Sequence, residues 1–149
     1  MDYLRSRILC IDADHSFTRW VRLELRRSNI DAELITAGSG VEGLRHLQNG
    51  RFDLCILEYA LPDMTGPDFY RLTVRFSHVI RVLMLSALGR AVDIESARES
   101  GIDHYLRKPD DLGIFGDTVN HLLKASRKMV VGARAWPRSR VNSLSERTH

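Results

Sequence analysis

The sequence predicts a doubly wound α/β domain, with five parallel strands in one sheet and helices on both faces. Three observations predict it. Five short apolar runs alternate with segments whose apolar residues recur at helical spacing, the pattern of successive strand–helix units. The runs are nearly continuous rather than alternating, as strands covered on both faces should be. Four of them end on a polar residue: ILCI leads to Asp12, DLCIL to Glu58, VLML to Ser86 and HYLR to Lys108. At the carboxyl ends of parallel strands, such side chains face the ligand crevice of an open sheet.

Taken in order, strand one is expected at about 7–12 and its helix from Ser16 to about Ser28, with Phe17, Trp20, Val21 and Leu25 on the inner face. Strand two follows at about 32–36. Ser39 opens the next helix, Glu42 three residues on completes a capping box, and Gly50 stops it. Strand three, about 53–57, delivers Glu58. The segment LPDMTG turns the chain, with Pro62 restricting the backbone and Gly66 providing a position without a Cβ. A helix at about 67–76 should bury Phe69, Leu72 and Phe76. Strand four, about 80–85, ends at Ser86. The helix at 90–100 has few large apolar residues, and Gly101 ends it. Strand five is about 104–107. Asp110 or Asp111 caps a last helix to about 125, with Leu112, Phe115, Val119, Leu122 and Leu123 inward.

The 149 residues suffice for one domain and a tail. No apolar stretch is long enough to span a membrane, and the first residues lack the apolar core of a signal peptide, so a cytoplasmic protein is expected. Cys10 and Cys55 fall inside predicted strands and read as buried small hydrophobes. Charge is uneven. Residues 1–123 hold 15 Lys/Arg against 18 Asp/Glu, whereas 124–149 hold seven basic residues against Glu146. The basic character therefore belongs to the tail.

Asp12, Glu58, Ser86 and Lys108, taken together in this order, resemble the receiver domain of two-component response regulators. LSA around Ser86, YLRKP with Lys108-Pro109, the turn LPDMTG, and Tyr105 three residues before the lysine all match, over about residues 7–124. The resemblance implies a flavodoxin-like fold. It makes Glu58 the equivalent of the phospho-accepting aspartate, Asp12 and Asp14 the acidic pocket, Ser86 and Lys108 the phosphoryl contacts, and Tyr105 the switch aromatic.

Two departures stand out. The second acid of the strand-one pair, a Mg²⁺ ligand in the family, is Ala13 in IDADHS; Asp14 is acidic but one residue further on, where it caps the first helix. The implied Mg²⁺ site is reduced to Asp12 and Glu58, and therefore a weak one. Glu58 itself replaces the acceptor aspartate, carrying its carboxylate about 1 Å or more further out. Phosphoryl transfer depends on in-line positioning and charge stabilisation, so both changes should suppress it. Neither Asp53, about 16 Å away along strand three, nor Asp63 in the turn can substitute. Glu58 then has two readings: an ion pair with Lys108, or mimicry of a phosphoryl group, whose charge of up to about −2 exceeds its own −1. Tyr105 likewise is either a switch that moves with Ser86 or a half-buried strand aromatic with its hydroxyl in water.

The expected protein is a stand-alone receiver with no enzymatic activity of its own. Its expected partners are a histidine kinase, an output protein or a second receiver, met through the helix at 90–100, strand 104–107 and the helix at 110–125. Residues 125–149 read as a basic, disordered tail, the one segment through which nucleic acid would be expected. A rival reading takes Asp12 and Asp14 as nucleophile and general acid of a DxDx(T/V) phosphohydrolase. Ser16 in place of the usual Thr or Val counts against it, and it leaves Glu58, LPDMTG and Lys108-Pro109 unexplained.

Overall fold

The computed structural model describes residues 5–76, 80–87 and 90–133. Five parallel strands form one sheet: β1 Ser6–Ile11, β2 Ala32–Ala37, β3 Leu54–Glu58, β4 Val82–Ser86 and β5 His104–Arg107, in the order β2-β1-β3-β4-β5. The order reverses between β1 and β3, the switch point at which such sheets open a crevice. The helices are α1 His15–Arg27, α2 Gly40–Asn49, α3 Gly66–Arg75, α4 Ala91–Ser100 and α5 Phe115–Ala133, the last preceded by a 3₁₀ turn at Leu112–Ile114.

The strands are apolar because both faces are covered. On one side Val21 and Leu25 of α1 and Phe115, Val119, Leu122 and Leu123 of α5 pack on Ile8, Cys10, Ile56 and Leu83. On the other, Leu47 of α2, Phe69 of α3 and Ala97 of α4 pack on Leu9, Ile11, Leu57 and Met84. Successive strand residues thus serve opposite cores. Cys10 and Cys55 are both buried and free. Burial, reinforced by the Asp12 anion, pushes the Cys10 thiol up to about 12, so it behaves as an apolar filler.

Helix starts follow local chemistry. Asp14 caps α1, accepting from the backbone N–H of Ser16 and Phe17. Ser39 caps α2 and Thr65 caps α3. Glu42 does not close the expected box on Ser39; its carboxylate accepts from the Gly38 N–H instead. Gly101 ends α4 in the left-handed region, φ 105°. Gly66 is needed for close approach: a Cβ there would stand 2.8 Å from the Glu58 carbonyl oxygen. The start of α3 therefore lies directly behind the acid that ends β3.

Three further expectations are corrected. Phe76 is 57% exposed, because α3 ends before it and its inner face is Phe69 and Thr73. Asp111 does not cap the last helix; its carboxylate accepts from the backbone and guanidinium N–H groups of Arg107. And α5 runs to Ala133, about eight residues past its expected end near 125. Lys124 to Met129 contain no glycine or proline, and the first breaker is Gly132. Residues 134–149, the rest of the expected disordered tail, lie outside the described residues. No helix among the described residues is long and apolar enough to cross a membrane.

Candidate functional site

Register assembles the site. Ile11 pairs with Leu57, Glu58 with Leu85, and Ser86 with Arg107. Asp12, Glu58 and Lys108 therefore emerge together at the carboxyl ends of β1, β3 and β5, with Ser86 ending β4 between them. The backbone N–H of Lys108 donates to the Ser86 carbonyl at 2.9 Å, and the peptide between Lys108 and Pro109 is cis.

The Lys108 ammonium is the centre of the arrangement. Nζ donates to Asp12 Oδ2 at 2.7 Å and to Glu58 Oε2 at 2.7 Å. It also lies 3.5 Å from the centroid of the Phe17 ring. The side chains of Lys108, Asp12 and Glu58 are 15%, 7% and 12% exposed, so these charges meet at low dielectric. Burial alone would lower the lysine pKa. The hydrogen bonds to Asp12 and Glu58, with their negative charges, outweigh it and hold the ammonium above its ordinary 10.5. The second oxygens are also engaged. Asp12 Oδ1 accepts from the Asp14 N–H at 2.9 Å, and Glu58 Oε1 from the Ala60 N–H at 3.4 Å.

The other predicted residues fall elsewhere. Asp14 is exposed, and its carboxylate is committed to capping α1. Ser86 is fully buried, and its hydroxyl shares a hydrogen bond with the phenol of Tyr105. Tyr105 is half-buried, so its hydroxyl is not simply in water; burial raises its pKa while the Ser86 bond opposes the rise. Ala13 is exposed and brings no donor atom to the crevice.

The Mg²⁺ that the resemblance implies does not fit this donor set. It has two carboxylates rather than three, and the ammonium of Lys108 bridges both. Among the described residues no group of three or more His, Cys, Asp or Glu could hold a metal. The pair required by the phosphohydrolase reading is also not set for acid and nucleophile work: Asp12 is locked onto Lys108, and Asp14 faces its own helix.

Two residues matter more here than their sequence context suggested. Phe17 reads as a core position of α1, yet its face covers Lys108. It also stacks on Trp20, with ring centroids 5.4 Å apart, and Trp20 meets Phe115 edge-on at 5.0 Å. An aromatic in the first turn after Asp12 was the available signal. Asp63 clips the turn after β3 to α2, its two oxygens each accepting at 2.9 Å, one from the Gly40 N–H and the other from the Val41 N–H. These bonds hold its carboxyl below the usual range.

Comparison with known proteins shows the family and the fold. The family described as the response regulator receiver domain matches residues 8–120. The DNA-binding response regulator MtrA of Mycobacterium tuberculosis (strain CDC 1551 / Oshkosh) is 36% identical over 109 residues, 73% of this chain and 46% of that protein. YcbL of Bacillus subtilis, an uncharacterized transcriptional regulatory protein, is 34% identical over 101 residues, 68% of this chain and 43% of its own. The chain thus spans under half the length of these curated relatives. The CheY-like receiver domain protein from Methanospirillum hungatei superposes with a TM-score of 0.75 at 21% identity, covering 85% of this chain and 99% of that one. The receiver domain of the Francisella response regulator 1452 gives 0.72 at 23%, covering 81% and 98%.

Proposed function

Because the chain belongs to the response regulator receiver family of two-component signalling, we propose that it signals through protein–protein contact without efficient phosphoryl transfer of its own. The observation that carries this reading is the Asp12–Lys108–Glu58 triad, with both ion pairs at 2.7 Å in a buried crevice. A phosphoryl donor and its metal would have to open two charge-assisted hydrogen bonds at low dielectric, with one carboxylate fewer to hold the cation. The longer Glu58 side chain satisfies the lysine that a phosphoryl group would otherwise engage. Of the two readings of Glu58, the ion pair is favoured, because the acid contacts Lys108 while the Ser86 hydroxyl is turned to Tyr105.

The partner surface is α4, β5 and the first turns of α5. α4 buries only Asp93 and Ala97, leaving Val92 66% exposed, and Ile114 before α5 is 54% exposed. Around these apolar points the ion pairs Arg90–Asp93, Glu95–Arg98 and Arg107–Asp111 neutralise one another. An apolar contact rimmed by paired charges suits another protein, whether a histidine kinase, an output protein or a second receiver. The Ser86–Tyr105 hydrogen bond links that face to the crevice.

Intact mass after incubation with acetyl phosphate and Mg²⁺ tests the reading. The wild type and Glu58→Asp should gain no phosphoryl group; Glu58→Asp with Ala13→Asp should gain one. Stoichiometric labelling of the wild type would overturn the proposal.

A further inference from the structure

A lysine ammonium carries three N–H donors and no acceptor. At Lys108 two of the three are spent on carboxylates, Asp12 Oδ2 and Glu58 Oε2, each 2.7 Å from Nζ. The ammonium also meets the ring of Phe17, whose centroid lies 3.5 Å from Nζ. A cation within about 6 Å of an aromatic face is attracted by the ring quadrupole, most strongly where water is excluded. The Lys108 side chain is largely buried, so the contact is of the stronger kind.

Core packing alone does not call for an aromatic here. Val21 and Leu25 fill the core side of α1 and are buried, whereas Phe17, one turn earlier, is half-buried beside the crevice. Its place is set from two directions. Asp12 Oδ1 accepts from the Asp14 N–H, and Asp14 in turn caps α1 by accepting from the N–H groups of Ser16 and Phe17. The acid that binds Lys108 thereby also fixes the first turn that carries the ring. From the helix side, Trp20 stacks on Phe17, and Phe115 of α5 meets Trp20 edge-on. An aromatic face is a weak acceptor without net charge. It can take the third N–H of Lys108 without drawing the ammonium away from its two anions.

We propose that Phe17 is a positioning residue of the crevice: its ring face takes the third N–H of Lys108 and holds the ammonium between Asp12 and Glu58. The proposal rests on the reading of Lys108 as the hub of a crevice that works by ion pairing, and it adds an apolar residue to that polar set. What position 17 then needs is a ring, not an apolar side chain of similar bulk. Leucine would keep the cover and the helix but has no quadrupole. Tyrosine would keep both the cover and the ring. Were Phe17 a space-filler only, leucine would replace it with no consequence at the lysine.

NMR of the full chain with labelled lysine side chains tests the proposal. The sequence holds only three lysines, so Lys124→Arg and Lys128→Arg assign the Lys108 signal by elimination. In the wild type the Lys108 Hε protons should lie upfield, displaced by the ring current of Phe17, and the ammonium protons should exchange slowly with water near neutral pH. Phe17→Leu should keep its circular dichroism but lose the upfield displacement. Its Lys108 ammonium should exchange about tenfold faster, and the lysine should titrate about one pH unit lower. Phe17→Tyr should retain all three wild-type properties. Val21→Ala, which loosens the same helix through core packing alone, should retain them too. Undisplaced Hε protons in the wild type, unchanged exchange and titration in Phe17→Leu, or equal changes in Val21→Ala would each overturn the proposal. Labelling of the wild type by acetyl phosphate would sink the signalling reading and leave these lysine signals as they are, so the two fail separately.

Discussion

Replacing Lys108 by methionine removes the cation shared by Asp12 and Glu58 while keeping an unbranched side chain of similar reach. Both acceptor oxygens lie 2.7 Å from Nζ, so they stand at most about 5.4 Å apart. At about 5 Å and an effective dielectric of about 20, two like charges repel by roughly 3 kcal/mol. Side-chain exposures of 7% and 12% put the pair nearer that limit than the aqueous one. Removing one partner from a buried ion pair costs about 3–5 kcal/mol, and the repulsion is part of that figure. A loss of this size is a large share of a typical domain's stability of about 5–15 kcal/mol. In urea, followed by circular dichroism, it should lower the unfolding midpoint on the order of 2 M. Adding Glu58→Gln to Lys108→Met should restore about 1 kcal/mol or more by removing one uncompensated anion. The pH dependence has a definite sign. The folded-state pKa of Lys108 is raised above 10.5, so its stabilising contribution is fully present below that value and is lost as pH rises through the folded pKa. The difference between wild type and variant should therefore stay flat through neutral pH and shrink only in strong alkali. A cost below about 1 kcal/mol, or no rescue by Glu58→Gln, would refute the view of the triad as a buried lock.

Asp63→Asn should cost about 1 kcal/mol at neutral pH, since one of two acceptors for the Gly40 and Val41 N–H groups becomes a donor. The Asp63 pKa is depressed in the fold, so its contribution is present above the unfolded value of 3.8 and lost as pH falls through the folded one. Urea midpoints of variant and wild type should accordingly converge in acid, and a gap that persists there would show that the clip is not ionic. Ser86→Ala should raise the Tyr105 phenol pKa further, because the Ser86 bond opposes the rise caused by burial. NMR titration of ring-labelled tyrosine reads this directly; an unchanged pKa would mean that the bond contributes nothing.

The sheet was legible because its strands are buried on both sides and must be apolar throughout: all five expected runs became strands, within about two residues at their ends. The triad was legible for the same reason, since the three chemically active residues follow directly from where apolar runs stop. Features set by side-chain direction or long-range juxtaposition were not. Phe76 has the right spacing from Phe69, but α3 ends before it and the ring projects to solvent. Asp111 has the right type for a cap, but Arg107 four residues earlier competes for its carboxylate and takes it. Nothing in the spacing shows that Phe17 lies over Lys108, that Tyr105 reaches Ser86, or that Asp63 reaches α2. Each depends on two elements brought together by the fold.

The departures at positions 13 and 58 act as one change in the charge balance of the crevice. As it stands, Asp12 and Glu58 face one ammonium within hydrogen-bond distance of both, which leaves one uncompensated negative charge, itself supported by backbone N–H groups of Asp14 and Ala60. A carboxylate at the exposed position 13 would add a second negative charge at the rim of this cluster. That imbalance is what a divalent cation would offset, and without it the cluster would repel itself. Removing that carboxylate therefore removes the electrostatic demand for the metal along with one of its ligands. Lengthening residue 58 by a methylene carries its anion onto Lys108, so the lysine is satisfied without a phosphoryl group. Restoring either residue alone leaves the other half of the balance wrong: Glu58→Asp withdraws the anion from the lysine with no metal site to replace it. Phosphotransfer should consequently return only when both positions revert together.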